Sequence, residues 1–256
     1  MRPNLIRLTA IVCLTLASAV CAGASDTPPA APPALAIAYH VAPRDRAALR
    51  RAIEAGVYPK FAELKKRGDV ADFRILYSRY ADSPNWDAML LVRFSVPASF
   101  DRWNKLEGAT AGLDKAALDL VTSIESVPID IVRSQGPTHT ARPGAVFLVI
   151  PYEVLVSSDE YLQYLDGYTV PQFDGWMKES VLSGYAIAMA RYPAGRPWSS
   201  LILLEYAGDD ALNQREVVVA KVRAKLKEDV KWKAISDAKK SVRSEKEVVV
   251  AEEIAP

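Results

Sequence analysis

RYADSPNW (residues 79–86) and RYPAGRPW (residues 191–198) share one framework: Arg-Tyr, five turn-forming residues, then Trp. Each phrase is flanked by stretches rich in β-formers. ADFRILYSRY (71–80) and WDAMLLVRF (86–94) surround the first, and SGYAIAMARY (183–192) and WSSLILLEY (198–206) surround the second. Two such runs around a short loop containing Pro, Asp or Gly read as a β-hairpin. Sliding the chain on itself until Arg79 falls on Arg191 lays 59–94 over 171–206. Eight of those 36 positions are identical, Pro59/Pro171, Phe61/Phe173 and Trp86/Trp198 among them. Average residue usage gives about two by chance. The same hairpin is therefore written twice.

Working outward, each hairpin sits in the same order of elements. LAIAYHVA (35–42) reads as a strand. Asp45 is placed to cap a helix whose buried face is Leu49, Ile53, Val57, Phe61 and Leu64, with Pro59 kinking or dividing it and Gly68 ending it. After the hairpin, residues 97–125 read as two helical pieces parted by Gly108 and Gly112, and VPIDIVRS (127–134) as a strand. QGPTHTARPG (135–144) is a linker by composition. The order then recurs: a strand at 145–156, helix at 158–182 with Pro171 inside, the second hairpin, helix over 209–241, and a last strand at 245–254. The expected units are 35–134 and 145–256, each βαββαβ.

Pairing the strands around the five-residue loops sets Tyr80 opposite Trp86, Leu76 opposite Leu90 and Arg79 opposite Asp87. It sets Tyr192 opposite Trp198 and Arg191 opposite Ser199 in the second copy. This register leaves both faces of the first hairpin apolar, Phe73, Ile75, Tyr77, Met89 and Leu91 on one and Leu76, Tyr80, Trp86, Leu90, Val92 and Phe94 on the other. An antiparallel sheet with a solvated face alternates cleanly, so both faces must be covered. Helices cover one, and the second sheet is the natural cover for the other.

A βαββαβ unit with a doubly apolar sheet resembles the ferredoxin-like fold as used in the dimeric α/β-barrel superfamily, which includes antibiotic-biosynthesis-type monooxygenases. The resemblance implies an α+β fold: two tandem ferredoxin-like repeats on one chain, packed sheet-to-sheet as an intramolecular α/β barrel. It rests on element order and face pattern, so it brings no functional residues with it.

The N-terminus is of another kind. MRPNLIR is basic, LTAIVCLTLASAV is apolar but short for a membrane span, and AGA (22–24) offers small residues for cleavage. Residues 1–24 read as a signal peptide, with a retained anchor or lipidation of Cys21 as the alternatives; Ser18-Ala19-Val20 fit a lipobox poorly. Residues 25–34 read as a Pro-rich tether. Loss of the leader removes both cysteines, Cys13 and Cys21, and with them thiol chemistry and cysteine-ligated metal. A periplasmic or secreted destination follows.

Candidates for chemistry are sparse. The full chain carries a net charge of +1 with both signs interspersed, which is no nucleic-acid footprint. The histidines are His40 and His139, without metal-ligand spacing. His40 is the candidate base. Arg79 and Arg191 are candidate anion anchors beside Tyr80, Trp86, Tyr192 and Trp198; the bland reading of these side chains is cross-strand pairing that fixes register. No cofactor and no metal are expected. The expected function is binding of a small apolar or aromatic molecule by a monomer or weak dimer. A cofactor-independent monooxygenase or isomerase is the alternative, and an envelope interaction protein is a further one.

Overall fold

The computed structural model describes residues 32–82, 85–136 and 142–255. The expected leader, most of the Pro-rich segment, and His139 lie outside the described residues. The first half contains strand β1 (Ala34–Val41), helix α1 (Arg46–Ala52), a π turn (Ile53–Val57), α2 (Tyr58–Lys66), β2 (Val70–Ser78), β3 (Ala88–Phe94), α3 (Pro97–Leu106), α4 (Lys115–Leu118) and β4 (Val121–Gln135). The second contains β5 (Val146–Val154), α5 (Ser158–Tyr164), a π turn (Leu165–Thr169), α6 (Val170–Lys178), β6 (Gly184–Ala190), β7 (Ser200–Tyr206), α7 (Asp209–Asn213), α8 (Arg215–Leu226), α9 (Val230–Val242), a short β8 (Arg243–Glu245) and β9 (Val249–Glu253).

The long amphipathic helix of each half is interrupted where its proline requires it. Pro59 has no N–H to donate, and its ring would clash with the carbonyl four residues back. The chain answers with a π turn directly before it, in which the Tyr58 N–H donates to the Ile53 carbonyl. The same device precedes Pro171, where the Val170 N–H donates to Leu165. The wider turn also has a packing consequence. Steps of four residues overshoot the 3.6-residue α turn, and the π turn takes up that overshoot. Leu49, Ile53, Val57 and Phe61 thereby stay on one buried face. Gly68, at φ +79°, ends α2 in the left-handed region that glycine enters without strain.

Within each half the strands lie in the same order, β4-β1-β3-β2 and β9-β5-β7-β6, all pairings antiparallel. The two layers do more than stack. They join edge to edge, β2 to β9 and β4 to β6, so that eight strands form a closed ring with β8 outside it on β5. Three apolar clusters follow from this. One lies between the first half's strands and its helices, one between the second half's strands and its helices. The third draws residues from all eight ring strands and lies inside the ring. Alanines on β1 (34, 36 and 38) and β6 (186, 188 and 190) face Leu, Met and Phe there, the small-to-large complement a narrow ring needs.

Two expectations are corrected. Val121 and Ile124 belong to β4 and not to a helix; β4 is long because it pairs with β1 along one edge and β6 along the other. The hairpin register is shifted by one residue. Leu76 lies opposite Met89 and Ile75 opposite Leu90; in the second hairpin Met189 lies opposite Ser200. Asp87 sets this register. Its carboxylate is buried on Arg46 and accepts the Val41 N–H at 2.8 Å, while its carbonyl accepts the Ser78 N–H. Ser199 does the equivalent work in the second half, its Oγ accepting the Val154 N–H at 2.7 Å. A one-residue slip exchanges faces. Leu90, Val92 and Phe94 therefore face the helices with Phe73, Ile75 and Tyr77, while Met89, Leu91 and Trp86 turn inward with Leu76.

Candidate functional site: the ring cavity

The ring is plugged at one end and hollow at the other. At the hairpin end, Trp86 and Trp198 are each 8% exposed and sit in the interior cluster. At the opposite end, where β1, β2, β5 and β6 begin, a cavity of about 450 Å³ opens between the halves. Its walls are largely apolar, among them Ala34, Ile129, Phe147, Ala186, Ala188 and Leu203. Its polar corner is Arg74, whose guanidinium lies 3.1 Å from Glu205, 3.5 Å from Glu253 and 4.5 Å over the Phe147 ring. Asp72 is held by Lys65 at 3.0 Å, and Arg142 reaches Glu205 at 3.4 Å. A second hollow of about 160 Å³ shares Phe73 and Arg74 with the first.

The cavity exists because equivalent positions of the two halves are unequal. The strand registers place Arg74 and Ala186 at equivalent positions, likewise Asp72 and Gly184, Arg93 and Glu205, and Ala34 and Phe147. The first half carries long polar side chains on β2; the second carries almost nothing at the matching places. A side chain at Gly184 would meet the Gln135 carbonyl at 3.0 Å and the Gly136 backbone at 3.3 Å, so β6 and the end of β4 approach closely at the rim.

The repeated phrase does not reach this cavity. Arg79 pairs with Asp209 and lies 3.9 Å from Glu252, and Arg191 pairs with Asp130 at 2.7 Å. Tyr80 and Tyr192 are 64% and 70% exposed. Trp86 and Trp198 are inside the ring but at its plugged end. His40, part-buried on β1 toward that same end, has a backbone carbonyl that accepts from Thr122. The residues that line the cavity, Arg74, Arg93, Phe147 and Glu205, were missed. A signal was present: Asp72 and Arg74 in ADFRILYS and Glu205 in SLILLEY are charges inside otherwise apolar strands, where a buried charge needs a partner.

Among the described residues no group of His, Cys, Asp and Glu is placed to hold a metal ion, and no helix is long and apolar enough to cross a membrane.

No family model and no curated protein sequence matches the chain. Solved structures do. A protein of Lactobacillus acidophilus NCFM, provisionally described as a monooxygenase, superposes with a TM-score of 0.54 at 12% identity, over 87% of this chain and 94% of that one. The chain has the dimeric α/β-barrel fold. An anthrone oxidase-like protein matches with a TM-score of 0.50 at 10% identity, over 87% and 91% of the two chains. A haem-binding protein of Thermus thermophilus matches with a TM-score of 0.51 at 11% identity, over 88% and 92%.

The last match corrects one expectation. A fold of this kind does hold a cofactor in a known protein, so the absence of a cofactor does not follow from the fold. Haem needs an axial ligand such as His, Cys, Met or Tyr. Among the described residues the ring cavity is lined by no His, Cys or Met, and its tyrosine, Tyr185, has its hydroxyl 3.5 Å from Gln135. Among the described residues Tyr185 is thus the one side chain of axial-ligand type in this cavity's lining.

Proposed function

We propose that the protein is exported and binds one small, mostly apolar molecule inside the ring. The observation that carries this reading is the cavity itself. It has about the volume of a small-molecule site, apolar walls and one polar corner at Arg74 and Glu205. One chain supplies both seams of the ring around it, so a monomer suffices. Ala186→Phe tests the reading. The added ring would fill the hollow, and binding of hydrophobic probes, followed by thermal shift, is expected to be lost while the protein stays folded. Unchanged probe binding in this variant would remove the reading.

A second reading is oxygenation of the bound molecule. It is supported by the matched structures described as a monooxygenase and as anthrone oxidase-like, which share the fold. Anthrone offered with dioxygen is the direct probe, the balanced outcome being anthraquinone and water. Oxygen uptake no faster than without protein would leave binding alone. Export rests on the pattern of residues 1–24, and the N-terminal mass of protein recovered from the periplasm, expected to begin at Ser25, tests it. A tandem duplication of one half is supported by matched elements: α1, α2 and β3 recur at the same lengths as α5, α6 and β7.

A further inference from the structure

We infer that the ligand of the ring cavity is an organic anion, its apolar body inside the ring and its acidic group on Arg93 at the rim; this rests on the binding reading above. The charges around the cavity carry the inference. Asp72 is matched by Lys65. Glu205 is matched by Arg74 from within and Arg142 from the rim, and Glu253 by Arg74. Arg93 also lines the cavity and is exposed, and its guanidinium has no ion pair or hydrogen bond with a described residue. Among the described residues the cavity and its immediate partners thus carry one more positive charge than negative, and the cation at the opening is Arg93.

The inequality of the halves explains why it is left over. The position equivalent to Arg93 is Glu205, the acid that would balance it in charge, and Glu205 is already engaged by two other arginines. The acid beside Arg93 is Asp72, its cross-strand neighbour, which Lys65 holds at 3.0 Å; the other rim residues, Pro32, Ile131, Ser134 and Gln135, are apolar or neutral. Ile131 is 46% exposed there. A carboxylate on an aromatic or alkyl body would meet the guanidinium in bidentate fashion while its body replaced water against Ala186, Ala188, Phe147 and Leu203. An amine would meet Arg93 as a like charge.

The test compares 2-naphthoate, 2-naphthalenemethanol and 2-naphthylmethylamine by calorimetric titration. The proposal expects naphthoate to bind about tenfold or more tightly than the alcohol, the scale of one charge-assisted hydrogen bond, with the amine weakest. It expects the naphthoate advantage to shrink with added salt, to vanish in Arg93→Gln and to be largely kept in Arg93→Lys. Alcohol and naphthoate binding alike, or an anion preference that survives Arg93→Gln, would overturn it. Ala186→Phe separates the two levels. Loss of all three probes in that variant upholds the cavity whatever the charge preference. Failure of every probe to bind the wild-type protein, or binding unaffected by Ala186→Phe, defeats the cavity reading and this inference together.

Discussion

Arg74→Met removes the cation that ties the two halves together inside the ring. The Arg74 and Glu205 side chains are each 9% exposed and lie 3.1 Å apart, and Glu253, 5% exposed, is 3.5 Å away. Methionine keeps most of the packing volume, so the loss is chiefly electrostatic. Removing one partner of a buried pair costs about 3–5 kcal/mol, because the other charge stays buried. Losing the guanidinium over the Phe147 ring adds about 0.5–2 kcal/mol. Arg142, half-exposed and 3.4 Å from Glu205, offsets part of this. The net expectation is a destabilisation of about 3–5 kcal/mol. Glu205→Gln leaves Arg74 with Glu253 and should cost less, about 1–3 kcal/mol. The double variant should cost less than the two singles together by about 1.5 kcal/mol or more. Guanidinium unfolding at fixed m-value reads all three. If Arg74→Met lies within about 0.5 kcal/mol of the wild type, or if the singles simply add, the ion pair does not join the halves and the argument for the polar corner fails.

Trp86→Ala and Trp198→Ala should each cost about 3–5 kcal/mol in the same unfolding assay, since each empties the plugged end of the ring; near-native stability would mean that neither is a plug. The Glu160 carboxylate accepts the Ser157 N–H at 3.0 Å and its hydroxyl at 2.7 Å, which holds it below the usual carboxylate range. Its contribution is therefore present above the ordinary Glu value of about 4.3 and lost as pH falls through the lowered one. The difference in Tm between wild type and Glu160→Gln should narrow on acidification, and a difference that is constant with pH would exclude the capping box as its source. Burial pushes the phenols of Tyr39, Tyr152, Tyr164 and Tyr206 above the ordinary tyrosine range. Their stabilising contribution is complete below about pH 10 and is lost above it. Tyrosinate absorbance from these four should thus appear only with the loss of near-UV circular dichroism, and its appearance in a still-folded protein would contradict their burial.

Much of the architecture was legible because it is local. Strand and helix follow from spacing over a few residues, as in the Leu49-Ile53-Val57-Phe61 face. Pro59 and Pro171 announced an interruption, though not that it would be a π turn rather than a kink. The doubly apolar hairpin required a second cover, and the ring supplies it. Register was not legible, because Asp87 sets it through Arg46 and the Val41 N–H, partners remote from it in the chain. That one-residue slip moved Tyr80 out to solvent and Trp86 into the ring, and so decided which half of the repeated phrase is structural.

By itself, then, the sequence determined the two hairpins and the need for a sheet buried on both faces, since these depend on short-range periodicity. The tertiary structure alone decided where the hollow lies. A cavity is set by what stands across from what: Arg74 meets Glu205 over a separation of 131 residues, with Ala186 and Gly184 leaving room at the positions equivalent to Arg74 and Asp72. No local pattern encodes space that a distant side chain declines to fill.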